Sequence, residues 1–191
     1  NQEMRSASGM RGVYVPGRVA RTRPGMARLS RGRPDSGRSF LQGEAPEGEQ
    51  GIVRLVGDVP RAGINIGDGC WGGHLIEFCD VFNTVMETDD HGSFNSWGRD
   101  RYWKPERRPV EKAVAAEPQL PFLDAVRQTV LRNNRWRCDH GWDVDLDDGS
   151  SHYAIYNNVF LRGGLKLREG YARIATNNVL GNNGLHPHVW Y

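Results

Sequence analysis

The sequence predicts an all-β fold, a right-handed parallel β-helix in which short strands stack coil upon coil. Three observations carry that expectation. An apolar-x-Asn-Asn-x-apolar element recurs as Leu131-Arg-Asn-Asn-Arg-Trp136, Ile155-Tyr-Asn-Asn-Val-Phe160 and Ala175-Thr-Asn-Asn-Val-Leu180. Its leading residues Asn133, Asn157 and Asn177 are spaced by 24 and 20 residues, a period that suits one solenoid coil. Second, Asp143-Val-Asp-Leu-Asp-Asp-Gly149 and Gly164-Leu-Lys-Leu-Arg-Glu-Gly170 align on their closing glycines, which sets Asp145 against Lys166, Asp147 against Arg168 and Asp148 against Glu169. Third, Gly is abundant, at 24 of 191 residues, and apolar runs are short, which argues against several long helices. A leucine-rich repeat has a similar period, but its Leu-x-x-Leu-x-Leu spacing is missing.

The elements follow in chain order. Gly63-Ile-Asn-Ile-Gly67 and Leu75-Ile-Glu-Phe-Cys-Asp80 read as short strands. The stretch from Glu87 to Trp103 is too long and polar for a strand and too rich in Trp, Tyr, His and Arg for an idle linker. Leu120 to Arg132 has a passable helical pattern. Along Asp143 to Asp147 the alternation turns Val144 and Leu146 inward and Asp143, Asp145 and Asp147 outward, and Asp148 starts the corner at Gly149. The Asn pairs read as corner residues that tolerate unusual backbone angles and stack on their equivalents above and below.

Composition divides the chain into a basic leader, residues 1–50, and a partial β-helix domain, residues 51–191. The leader holds nine arginines, no Lys and almost no apolar periodicity, so it is expected to be disordered or unrelated to the domain. No aromatic residues interleave with those arginines in the manner of a nucleic-acid platform, and no nucleic-acid partner is expected. Arg recurs too often for a secretory signal, and no run approaches the roughly 20 apolar residues of a membrane span. An extracellular or periplasmic setting fits the full-length parent. Three cysteines, Cys70, Cys79 and Cys138, make no even disulfide set and read as buried small residues. From residue 51 there is room for about five or six coils, and the last residues show no capping repeat, so the coil is expected to be truncated.

The chemistry begins with the aligned acids. Neighbouring strands lie about 4.7–4.9 Å apart, and retaining glycosidases hold their two carboxyl groups about 5–5.5 Å apart. Asp147 or Asp148 with Glu169 therefore suits a retaining mechanism, with Asp148 preferred because Arg168 would neutralise Asp147. Lys166 and Arg168 would tune the acids or hold sugar hydroxyls. Trp97 and Trp103 offer flat faces for sugar stacking, or plug the solenoid as a folded-back loop, while His91, Asn95, Arg99 and Asp145 offer polar contacts. Trp142, His186 and His188 would complete the cleft. Read as an EF-hand, Asp143-x-Asp145-x-Asp147 has Asp148 where Gly is required and Ala154 where the bidentate Glu belongs. No metal or cofactor is expected.

Four segments together look like a known family: Gly67-Asp-Gly-Cys-Trp-Gly-Gly73, the Asp90–Arg101 stretch, Trp142-Asp-Val-Asp-Leu-Asp-Asp-Gly-Ser150 and Gly164–Gly170. They resemble right-handed parallel β-helix glycoside hydrolases related to the β-xylosidase family with this fold. The resemblance covers about residues 60 to 191 and keeps the order of the segments. It implies a retaining hydrolase acting on an oligo- or polysaccharide, with an Asp of the Asp-Leu-Asp-Asp-Gly segment as nucleophile and Glu169 as acid/base. Two other classes compete. A polysaccharide lyase would bind calcium with the aspartates and use Lys166 or Arg168 as base, and a non-catalytic solenoid would bind sugar without turnover.

Overall fold

A computed structural model describes residues 54–67 and 71–188, together with the backbone of three two-residue strands, Tyr14–Val15, Ala20–Arg21 and Ser39–Phe40. The rest of the leader, and Cys70, lie outside the described residues. The strands from Arg54 onward form three parallel sheets that the chain visits in strict rotation. The first sheet stacks Ile64–Ile66, Gly92–Trp97, Trp142–Asp147, Leu165–Leu167 and Leu185–Pro187. The second stacks Arg54–Val56, Cys79–Val81, Arg135–Trp136, Val159–Phe160 and Val179–Leu180. The third stacks Leu75–Glu77, Thr129–Arg132, Tyr153–Tyr156 and Arg173–Thr176. This is an all-β, solenoid-like arrangement.

Alternation within each strand builds the core, because every second side chain points to the same face. Ile64, Phe94, Val144 and Leu165 form one inward row of the first sheet, Val56, Val81, Trp136 and Phe160 one of the second, and Ile76, Leu131 and Ile155 one of the third. The Phe94 ring meets Trp136 and Tyr153 edge-on, with centroids 6.2 and 6.3 Å apart. Full burial of each such side chain contributes roughly 1.5–3 kcal/mol.

The Asn pairs divide their work. The first of each pair, Asn133, Asn157 and Asn177, takes the left-handed backbone at φ 56°, 57° and 50°. Asn tolerates this better than most residues, since its short amide bonds locally. The second of each pair builds a ladder through the corner. Asn158 Oδ1 accepts from the Asn134 backbone N–H and side-chain amide, both at 3.1 Å, and the Asn158 amide donates to Asn178 Oδ1 at 3.0 Å and to Leu131 O at 2.9 Å. One coil earlier Cys79 N–H donates to Asn134 Oδ1 at 2.9 Å. Asn158→Ala strands buried donors and acceptors in two coils, so it is expected to cost about 2–3 kcal/mol in denaturant unfolding. A loss below about 0.5 kcal/mol would show that the ladder does not hold the coils in register.

Two sequence expectations are corrected. Residues 120–132 are not a helix: only Leu120–Phe122 makes a turn of 3₁₀ helix, with Pro121 at its start, and Thr129–Arg132 is a strand. Leu131 pairs between Ile76 and Ile155, so tertiary pairing overrides the local pattern. The exposed helix lies earlier, at Arg107–Ala116, and buries only Val110. The polar stretch from Glu87 also contains a strand, Gly92–Trp97, whose outward Ser93 and Asn95 hide the alternation around Phe94. Residues 98–128 thus form one long insertion between the first and third sheets.

Candidate active site

The register aligns the acids as the glycines suggest. Val144 pairs with Leu165, Asp145 with Lys166 and Leu146 with Leu167, and Arg168 N–H donates to Leu146 O at 2.9 Å. The next residues of the two segments, Asp147 with Arg168 and Asp148 with Glu169, therefore meet at one corner of successive coils. Gly149 makes that corner at φ 80°, where an added Cβ would lie 2.6 Å from Trp103 Cδ1 and 2.7 Å from Gly98 O.

Arg168 is the centre of the cluster. Its Nη1 lies 3.1 Å from both Asp147 Oδ1 and Asp148 Oδ1, and its Nε lies 3.3 Å from Glu169 Oε2, without hydrogen-bond geometry to that last atom. The insertion closes the corner from outside. Arg99 Nε donates to Asp148 Oδ2 at 2.6 Å, and Trp103 Nε1 donates to Glu169 Oε1 at 2.8 Å. Tyr102 hydroxyl bonds Ser151 and the Gly149 carbonyl, and Arg99 lies over the Trp103 ring. Glu169 is fully buried as a result, Asp148 is 7% exposed in its side chain and Asp147 18%. The preference for Asp148 as nucleophile loses its basis, because Arg168 contacts both aspartates equally and Arg99 adds a second cation to Asp148.

The outward row beside this corner runs Asn65, Asn95, Asp145, Lys166 and His186. Asp143 and Asp145 do face outward, but they are buried rather than solvated. Asp143 accepts backbone N–H groups of Cys138, Arg162 and Gly164 at 2.6, 3.0 and 3.1 Å, and so ties two coils at the neighbouring corner. Lys166 Nζ donates to Asp145 Oδ2 at 3.1 Å and Asp90 Oδ1 at 3.2 Å, and stands 3.9 Å from Asp147 Oδ1. Burial pushes the Asp145 carboxyl up to about 7, with Lys166 pulling it down and Asp147 adding to the rise. Burial would lower Lys166, but Asp145 and Asp147 outweigh it and hold the ammonium above the usual lysine range. Near neutral pH Lys166 is charged while Asp145 exchanges its proton.

A pH signature follows. The unfolded chain releases the Asp145 proton near pH 4, whereas the folded chain keeps it to about pH 7, so the carboxyl favours the fold at low pH and that contribution is lost as pH rises. The stability of the parent relative to Asp145→Asn is expected to fall by on the order of 2–4 kcal/mol between about pH 4 and 7. Thermal melts of both proteins across that window test this; parallel curves would contradict it.

The remaining predicted residues fall into separate places. Trp142, His186 and His188 come together, with ring centroids 4.8 and 6.1 Å from Trp142, and Lys166 lies over the Trp142 ring at 5.5 Å. His91 and Trp97 instead meet Arg61, which donates to His91 Nε2 at 2.9 Å and stacks on Trp97 at 5.2 Å. Burial, then Arg61, lowers the His91 pKa, so its imidazole is a neutral acceptor. Asn95 is buried, and its Oδ1 accepts from Gly92 N–H, so it is committed to the strand rather than offered to a ligand. Trp103 touches the acids directly instead of serving as a free stacking face. Asp90 is a Lys166 partner that sequence reasoning does not single out; the signal for it is the strand that opens at Gly92, which pairs with Trp142 and brings Asp90 to this face.

Among the described residues no three His, Cys, Asp or Glu side chains are arranged to hold a metal ion, and the spaces between the aspartates are filled by Arg99, Lys166 and Arg168. No helix among them is long and apolar enough to cross a membrane. No family model, curated protein or solved structure matches the chain.

Proposed function

We propose that this is a carbohydrate-active, right-handed parallel β-helix related to the β-xylosidase-like glycoside hydrolases, working with retention at the Asp147–Asp148–Glu169 corner. The observation that carries the reading is the shared guanidinium: carboxylates from successive coils lie against Arg168, which brings an acid pair from neighbouring coils to one corner. Glu169 protonates the leaving oxygen, an aspartate attacks the anomeric carbon, and Glu169 then takes a proton from the water that releases the sugar. Asp147 is the better nucleophile. It is the more exposed aspartate, and its contacts with Asp148 N–H, Arg168 and Lys166 all fall on Oδ1. Trp103 and Arg99 cover Glu169 and Asp148, so this reading requires residues 98–103 to open before a sugar reaches the acids.

One observation favours a second reading. Glu169 is fully buried and its corner is balanced by two guanidinium groups, which also describes a structural clamp in a non-catalytic solenoid. Aryl-glycoside assays of the parent protein, Glu169→Gln and Asp147→Asn separate the two. Hydrolysis lost in both variants supports the enzyme, whereas a lowered melting temperature with no hydrolysis in any protein supports the clamp.

A further inference from the structure

A second feature lies on the same face, at the other end of the strand. Trp142 opens a cleft of 730 Å³, with His140, Asp90, Arg162, Asn182 and Asn183 among its walls. That volume is within the range of about 300–1,000 Å³ typical of ligand sites. Trp142 stands five residue steps from Asp147, roughly 17 Å along the strand. Unlike the acid corner, the cleft is open.

We propose that this cleft binds a neutral, hydroxyl-rich glycan, as a remote subsite for an extended oligosaccharide that also reaches the acid corner. The inference rests on the hydrolase reading for the second half of that statement only. Three features select the ligand. Trp142 lines the cleft, and its ring is held by His186, His188 and Lys166. Around it stand amides, an imidazole and carboxylates, which exchange hydrogen bonds with hydroxyls in both directions. The local cations are already engaged: Arg162 Nε lies 3.3 Å from Asp139 and Lys166 Nζ 3.2 Å from Asp90. An anionic sugar would meet Asp89, Asp90 and Asp139 without a cation released from these pairs, and like charge repels it. A purely apolar ligand finds few partners on such walls.

The test is calorimetric titration of Glu169→Gln in the full chain with xylotetraose and with tetragalacturonate. The neutral sugar is expected to bind and the acidic one to bind at least about tenfold more weakly, a difference of about 1.4 kcal/mol. Adding Trp142→Ala is expected to weaken xylotetraose binding about tenfold or more, and Trp142→Phe to restore most of it. If the alanine variant fails to fold, His140→Trp, which adds bulk to the cleft wall, is expected to weaken binding at least about tenfold. Equal affinity for the two sugars, or unchanged affinity in folded Trp142→Ala or His140→Trp, overturns the proposal. Trp142-dependent binding in a protein that never hydrolyses glycosides refutes the hydrolase reading alone. Turnover without Trp142-dependent binding refutes the cleft alone.

Discussion

Arg168→Ala is expected to cost about 3–5 kcal/mol of folding stability, because it leaves buried carboxylates without their shared partner. Asp147, Asp148 and Glu169 would remain crowded at one corner, with Arg99 reaching only Asp148 and Lys166 standing 3.9 Å from Asp147. The Arg168 side chain is 36% exposed, so water admitted to the gap places the result toward the lower end of that range. Arg168→Lys should recover only part of the loss, since an ammonium cannot span three acids with a planar fork. Urea unfolding of the parent, Arg168→Ala and Arg168→Lys near neutral pH provides the check. A loss under about 1 kcal/mol would mean that the corner is already hydrated and that Arg168 is an ordinary surface cation.

Glu169→Gln is expected to reduce hydrolysis of an aryl glycoside by about 10²–10⁴-fold, the contribution of a positioned general acid/base. The amide keeps the shape of the side chain and its acceptor for Trp103 Nε1, so the fold and the strap should survive. The loss should depend on the leaving group. An aglycone that departs without protonation needs little help in the first step, and water attack then limits the rate, so a glycosyl-enzyme should accumulate. Asp147→Asn should lose both steps together. A Glu169→Gln enzyme with parental rates on both good and poor leaving groups would remove Glu169 from the chemistry.

Much of the acid corner is legible in the sequence because it depends on local rules. A strand of period two fixes which of Val144, Asp145 and Leu146 share a face, and a glycine corner fixes where the next coil begins. That is enough to align Asp145 with Lys166, and the Asn pairs mark the corner at which the coils turn. The features that the sequence hides depend on parts of the chain far away. Asp145 reads as an outward-facing polar contact and its burial stays hidden, because Asp90, which caps its partner Lys166, lies 76 positions before that lysine. The burial of Glu169 comes from Trp103, within an insertion that has no repeat to align it. The choice between Asp147 and Asp148 turns on Arg99, which belongs to the same insertion. The helix at Arg107–Ala116 is hard to read because Pro109 and the scattered charges around it obscure its one buried residue, Val110.

The stereochemistry of the first-formed sugar tests the central idea most directly. Proton NMR of an aryl β-glycoside during hydrolysis, read before mutarotation, should show the β-anomer appearing first if two acids one strand spacing apart, about 4.7–4.9 Å, work as the retaining pair proposed above. Immediate appearance of the α-anomer would contradict retention by an acid pair on neighbouring coils.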